Sequence, residues 1–263
     1  MLTAQAIREA IETLAPPAWA ESWDNVGWQI GDDTMSVARV HITLDLDAAV
    51  LDEARTHNAD LIVSHHPLIF RPLSRIDTAT PQGHLIAELI RAGIGVYSAH
   101  TNLDAANPGV STALADALGL SWQSALAPLP HAPDAFGFGV ICEHEPLTTA
   151  ELAERVHTRL GTPSPRITDA GHTTHTRTAL LGGSGAAFIH QARAAGCTCF
   201  ITGEVKYHEA QDARAIGLTL IEADHFYSEA PVLALLADHL RPLGVSVTIS
   251  RIATTPFTYL PTK

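Results

Sequence analysis

Cysteine is scarce in this chain, with only Cys142, Cys197 and Cys199 among 263 residues. An odd number of thiols, two of them on one strand face at Cys197 and Cys199, excludes a disulfide scaffold and suits a reducing compartment. Basic residues are also few, 16 against 28 acidic, and they form no block. With a formal net charge of −12, a phosphate-binding groove for nucleic acid is not expected. Nucleotides remain open as ligands, since backbone N–H groups or metals can offset an acidic field locally. No apolar run reaches the ~18 residues of a membrane span, so no membrane partner is expected. A secretory signal is missing as well. Leu2, Ala6, Ile7, Ala10, Ile11 and Leu14 recur at helical spacing, interrupted by Arg8, Glu9 and Glu12, and predict an amphipathic helix that stops before Pro16 and Pro17. The expected location is the cytoplasm. Charged residues make up 17% against 46% hydrophobic, which excludes a disordered chain. The length allows one or two domains at ~100–200 residues each.

Histidine, by contrast, is plentiful at 15 residues. Most are expected on solvated surface, as His172 and His175 are in a turn-rich stretch. The informative ones stand where strands end, and an internal repeat shows where that is. Residues 40–66 and 178–204 align without a gap at an offset of 138. Each reads as a strand, a turn, a helix and a second buried strand. Each is followed by a further helix, near 83–92 and 209–216, and a third strand, near 94–99 and 218–223. The third strands lead into His100–Asp104 and His225–Glu229, at an offset of 125. A duplicated β-α-β-α-β unit accounts for this pattern. The expected fold class is α/β, with mainly parallel sheets covered by helices and ligands gathered at the carboxyl ends of strands. Between the repeats, residues 128–177 begin with Pro128, Pro130 and Pro133, a candidate domain boundary, and contain a strand near 135–140 and a helix from 148 or 149 to 160. The tail reads as a helix over 230–240 and a strand over 245–252.

Three clusters at strand ends carry chemistry. His65 and His66 precede Pro67, where a turning backbone lets two adjacent rings reach two ions. His100 with Asp104, and His225 with Glu229, each lie one helical turn apart on one face. Imidazole with carboxylate suits zinc, manganese or ferrous iron, and a carboxylate can bridge two ions. Together the clusters predict a two-metal site. Elsewhere, Gly182, Gly183 and Gly185 form either a tight turn or a phosphate cradle at a helix start. Asp24 and Asn25 lie in a loop that contacts substrate or caps a helix. Lys206, Tyr207 and His208 follow a strand of the second repeat, with His208 a catalytic candidate. Cys197 and Cys199 are expected to pack as small hydrophobes.

The stretches Ser22–Gly27, Ser64–Pro67, His100–Asp104, Gly182–Gly185, Thr202–Glu204 and His225–Glu229 occur in one order over nearly the whole chain. In this the chain resembles the dinuclear metal-centre proteins known as GTP cyclohydrolase 1 type 2 homologues. The resemblance implies His65, His66, Asp104, His225 and Glu229 as ligands of two divalent ions per chain, with Glu229 the bridge. It also implies two intertwined α/β domains and a ring-shaped homohexamer. Expected boundaries are 1–127 with 225–263 for the first domain and 128–224 for the second. The family's usual glycine before the last ligand histidine is Asp224 here, and the inserted domain of longer relatives has no room.

The expected activity is that of a metal-dependent hydrolase acting on GTP or another nucleotide, with His100 or His208 as proton donor to the departing nitrogen. A phosphoesterase fits the same site, because two ions can clamp attacking and leaving oxygens. A metal-binding scaffold without turnover is the alternative from another class.

Overall fold

The structure, a computed structural model, describes residues 2–130, 132–133 and 135–259. Positions 1, 131, 134 and 260–263, which fall within the expected domain spans, lie outside the described residues. The chain divides into two compact units, Met1–Leu103 with Leu233–Thr254 and Asp104–Val232 with Thr255–Lys263. The first crossing falls at 103/104, ahead of the expected 127/128. The strand Trp122–Pro128 explains this, because it pairs with Gly137–Leu147 in the second sheet.

The first unit is built on a five-stranded sheet. Its order is Ser246–Ile249, Arg39–Thr43, Leu61–Ser64, Gly95–Ser98 and Gly27–Ile30. The first four strands are parallel and the last is antiparallel. Helices Ala48–Thr56 and Pro81–Ala92 make the crossovers. Asp47 caps the former by accepting from Val50 N, and Thr80 caps the latter through Gly83 N. Leu51, Ala54, Leu85 and Leu89 from these helices pack on Ile62 and Val96 of the sheet. The N-terminal helix runs Ala4–Leu14 and buries Ala4, Ile7, Ile11 and Leu14, as its spacing predicts.

The second unit has a six-stranded sheet, ordered Trp122–Pro128, Gly137–Leu147, His175–Leu181, Cys199–Thr202, Thr219–Glu222 and Arg166–Thr168. Its middle three strands are parallel and carry flanking antiparallel strands. Both faces are buried, which is why these strands read as continuous apolar runs. Leu180, Ile201 and Ile221 face helices Val110–Leu118 and Thr149–Leu160 through Leu114, Leu118, Leu152 and Val156. Ala179, Phe200 and Leu220 face the opposite side with Ile189, Ala192 and Ala213. Cys142 and Cys199 pack in the first of these clusters and Cys197 in the second. Cys197 and Cys199 therefore do not share the one strand face expected of their spacing, because the strand begins only at Cys199; all three are free thiols. Burial pushes the Cys142 thiol up to about 12, so it behaves as a small apolar group.

The repeated stretches keep one register. Val40 through Thr43 pair with Leu61 through Ser64, and Thr178 through Leu181 pair with Cys199 through Thr202. Adding 138 to each number of the first ladder yields the second. In the third strands, Ser64 pairs with Ser98 and Thr202 with Glu222, an offset of 124.

Candidate metal centre

In the first unit, the strand Leu61–Ser64 ends in the turn that carries His65 and His66, while Gly95–Ser98 leads through Ala99 to His100. Parallel neighbouring strands therefore deliver all three imidazoles to one carboxyl edge. The ring centroids of His65 lie 4.9 Å from His66 and 5.2 Å from His100, and those of His66 and His100 are 5.3 Å apart. Candidate ligand nitrogens of the three lie within 4.8 Å of one another.

Each ring is held by an oxygen acceptor at Nδ1. His65 donates to the Ala99 carbonyl at 2.8 Å, His66 to Asp45 Oδ1 at 2.8 Å and His100 to Asp24 Oδ1 at 2.9 Å. An acceptor opposite Nδ1 puts the ring proton there and the lone pair on Nε2, the form in which imidazole binds a metal. Asp45 also accepts from the Thr254 hydroxyl. Asp24 is buried and accepts from Thr101 N at 3.0 Å and from Thr101 Oγ1. Burial opposes ionisation of Asp24, but hydrogen bonds from His100 and Thr101 outweigh it and hold the carboxyl well below the usual range.

In the second unit, the five-residue helix His225–Glu229 follows the strand Thr219–Glu222. His225 Nε2 lies 3.2 Å from Glu229 Oε2, the one-turn pairing expected from spacing, and its Nδ1 lies 3.2 Å from Glu204 Oε1. Glu229 is buried and Glu204 exposed. Gly183 (φ +66°) makes room for this pair, since a Cβ there would stand 2.1 Å from Glu229 Oε1. Gly203 does the same for the helix backbone, with His225 Cα 2.9 Å from where its Cβ would be. The Gly183 amide donates to Ser228 Oγ and the Gly185 amide to Thr202 Oγ1. With those N–H groups engaged internally, the glycine-rich segment serves as the tight turn rather than the phosphate cradle.

Asp224 has φ +66° and ψ 144°, backbone that favours glycine. Its carboxylate offsets the strain by accepting from Phe226 N at 3.0 Å, capping the helix, and from Tyr259 O–H at 2.5 Å. Asp104 closes the short helix Thr101–Asp104 that His100 precedes, and it is half-buried. His208 is exposed on the helix Tyr207–Ala215, with Nδ1 3.2 Å from Gln211 Oε1. Among the described residues, it belongs to no group of three or more candidate metal ligands.

Two residues that orient the rings, Asp24 and Asp45, were not legible as such. Asp24 stands 76 positions from His100, and only the fold joins them. Asp45 follows the first strand of the repeat, where an acidic residue reads equally as a helix-start residue.

The family pattern described as Duf34/NIF3 (NGG1p interacting factor 3) matches residues 2–256. The chain belongs to this family. A Duf34/NIF3 relative from Streptomyces coelicolor, named GTP cyclohydrolase 1 type 2 homolog, is 38% identical over 260 residues, covering 95% of this chain and 91% of that one. Among solved structures, a Bacillus cereus protein related to NIF3 aligns with a TM-score of 0.90 at 25% identity, covering 98% of this chain and 99% of that one. A Staphylococcus aureus hypothetical protein aligns with a TM-score of 0.88 at 28% identity, covering 99% and 100%. The Duf34/NIF3 assignment accords with the α/β architecture described above. No helix among the described residues is long and apolar enough to cross a membrane.

Proposed function

We propose that the protein is a metal-dependent hydrolase of GTP or another nucleotide, holding two divalent ions per chain. The ligands in this reading are His65, His66, Asp104, His225 and Glu229, with Glu229 as the bridge, and the ions are zinc, manganese or iron. The observation that carries it is the common state of the ligand imidazoles of the first unit, His65 and His66, each with Nδ1 committed to an oxygen acceptor. That donor set fits a borderline divalent cation, and the buried Glu229 carboxylate beside His225 fits the same chemistry. When bound, such ions supply Lewis acidity and activate water near neutral pH.

The chain's own residues do the remaining work. Asp45 and the Ala99 carbonyl fix the planes of His66 and His65. Asp24 holds His100 through Nδ1 and leaves Nε2 facing outward from that bond, so His100 is the proton donor to a departing nitrogen in this reading. His208 is the second proton donor of this reading. The name carried by the Streptomyces coelicolor relative supports a nucleotide substrate. The proposal extends to a cytoplasmic homohexamer and to an internal duplication as the origin of the shared register.

The test counts metal per chain, then assays the protein with added Mn, Zn, Fe or Mg against a nucleotide panel. Product formation that His65→Ala abolishes is expected. Stoichiometric metal with no product from any nucleotide would convert the reading to a metal-binding scaffold. Release of inorganic phosphate without ring opening would convert it to a phosphoesterase. Light scattering coupled to size exclusion checks the hexamer, and a monomer at micromolar concentration removes it.

A further inference from the structure

The first unit exposes two large aromatic side chains beside its histidine group. Trp23 is 58% exposed and Phe70 41% exposed. Their ring centroids lie 5.8 Å apart with planes at 65°. Both rings approach His100, Trp23 at 6.3 Å and 74° and Phe70 at 6.2 Å and 77°. Isolated exposed aromatics are ordinary on protein surfaces, but two in contact, both against the proposed proton donor His100, leave a shaped apolar surface open beside it.

The pair is also built. Trp23, Asp24 and Asn25 are consecutive, and each has a distinct task. Asp24 accepts from His100 Nδ1 and from Thr101. Asn25 Nδ2 donates to the Ile69 carbonyl at 2.6 Å, tying the Trp23 loop to the residue preceding Phe70. Gln29 completes the tie, donating to the Asn25 carbonyl at 2.7 Å and accepting from Ile69 N at 3.1 Å. The loop carrying Trp23 and the loop carrying Phe70 are thereby locked to each other and to the plane of His100. Preorganised aromatic edges and faces cost little conformational entropy to use, and they accept any flat π-system.

We infer that Trp23 and Phe70, whose edge-to-face contact leaves no slot between them, form an open aromatic clamp, with the planar heteroaromatic ring of the substrate stacking on their exposed faces beside His100. The inference rests on the hydrolase reading for what happens next, but the clamp itself is a binding claim. It assigns the ring-binding subsite to Trp23 and Phe70, with Asn25 and Gln29 as positioning residues.

Equilibrium dialysis with GMP as probe and ribose 5-phosphate as the ring-free control tests it on the full chain, with metal content measured in every sample. GMP is expected to bind at least tenfold more tightly than ribose 5-phosphate. Trp23→Ala and Phe70→Ala should each weaken GMP about five- to hundredfold, the range of one base–aromatic stack. Trp23→Phe should stay within a few-fold of the parent, and bound metal should be unchanged in all three. Equal GMP affinity in parent and alanine variants overturns the clamp, as does GMP binding no better than ribose 5-phosphate. Dissociation of an assembly by Trp23→Ala with GMP affinity unchanged also overturns it and makes the pair a subunit contact. A parent that takes up none of the added Mn, Zn, Fe or Mg yet shows the ring preference would sink the hydrolase reading and leave the clamp standing.

Discussion

In the first repeated stretch the strand ends carry Asp45, then His65 with His66, then His100. In the second, the positions in equivalent register carry Gly183, then Gly203 with Glu204, then Asp224, one residue before His225. The strands themselves are alike, apolar and buried in both. The difference has a steric reason inside the second unit. A side chain at Gly203 would run into Ser228 Oγ at 2.7 Å, and one at Gly183 into Glu229. The second unit forgoes histidines there and brings the His225–Glu229 helix down onto its own strand ends. One frame thus yields an imidazole-bearing edge and a carboxylate-bearing edge, and the second stretch cannot adopt the first's side chains at Gly183 and Gly203 without displacing its own helix.

The largest expected effect tests the carboxylate-bearing edge against the imidazole-bearing one. Glu229→Gln keeps size and one acceptor oxygen but removes the charge that, in the proposed site, would offset repulsion between two cations. Bound metal should fall below one ion per chain, whereas His65→Ala retains close to one. Metal analysis with circular dichroism as the folding control reads both, and a folded Glu229→Gln protein with two ions per chain removes Glu229 from the site.

A pair of glycines sharpens the contrast at intermediate size. Gly93 (φ +67°) and Gly183 (φ +66°) share a left-handed backbone, yet a Cβ at Gly93 would meet nothing within 4 Å. Alanine at either position should cost about 1 kcal/mol for the backbone alone. Only Gly183→Ala displaces the Glu229 carboxylate, so only it should lower bound metal. Thermal melts and metal content measured side by side decide the matter, and equal metal loss in both variants contradicts the packing argument.

The smallest effect concerns acid. Among the described residues, each unit buries one histidine off the candidate ligand set, His41 and, contrary to its expected place on the solvated surface, His175; burial is the leading cause holding both below the ordinary histidine value. His41 faces Glu53, His57 and Thr248, and the Glu53 carboxylate opposes the shift. His175 faces Thr149, Thr198 and His172; His144 adds repulsion, and Asp169 gives weak relief. A depressed folded pKa means that the stability each contributes is complete above about pH 6.5 and is lost as pH falls through the folded value. Hydrogen exchange in the presence of a chelator should therefore lose protection between pH 7.5 and 5.5. The loss should appear in both Leu61–Ser64 and Cys199–Thr202. Protection unchanged over that range in either strand would remove its buried histidine as a source of acid sensitivity.

The parallel centre of each sheet was readable because strands buried on both faces are apolar without alternation, as in Leu61–Val63 and Phe200–Ile201. The short edge strands Gly27–Ile30 and Arg166–Thr168 were not, since a half-exposed strand of three or four mixed residues carries too little pattern. Helix spacing made the His225–Glu229 contact readable, and His65 with His66 announced themselves by adjacency. Asp24 did not, because its partner His100 belongs to a different element and only tertiary structure pairs them. Asp224 was visible as a departure from glycine, but its capping bond and its contact with Tyr259 depend on a backbone angle that sequence does not state.

The change of offset from 138 to 124 has a location. In the first stretch, residues 65–80 separate the second strand from the next helix, whereas residues 203–206 suffice in the second. Phe70 lies on that surplus length. Extra chain inserted between a strand's end and the following crossover leaves every rung of the ladder in place, so a new surface can be trialled there at little risk to folding. The shorter connection shows what the scaffold needs, and the longer one shows where a lineage has space to acquire a ligand preference of its own.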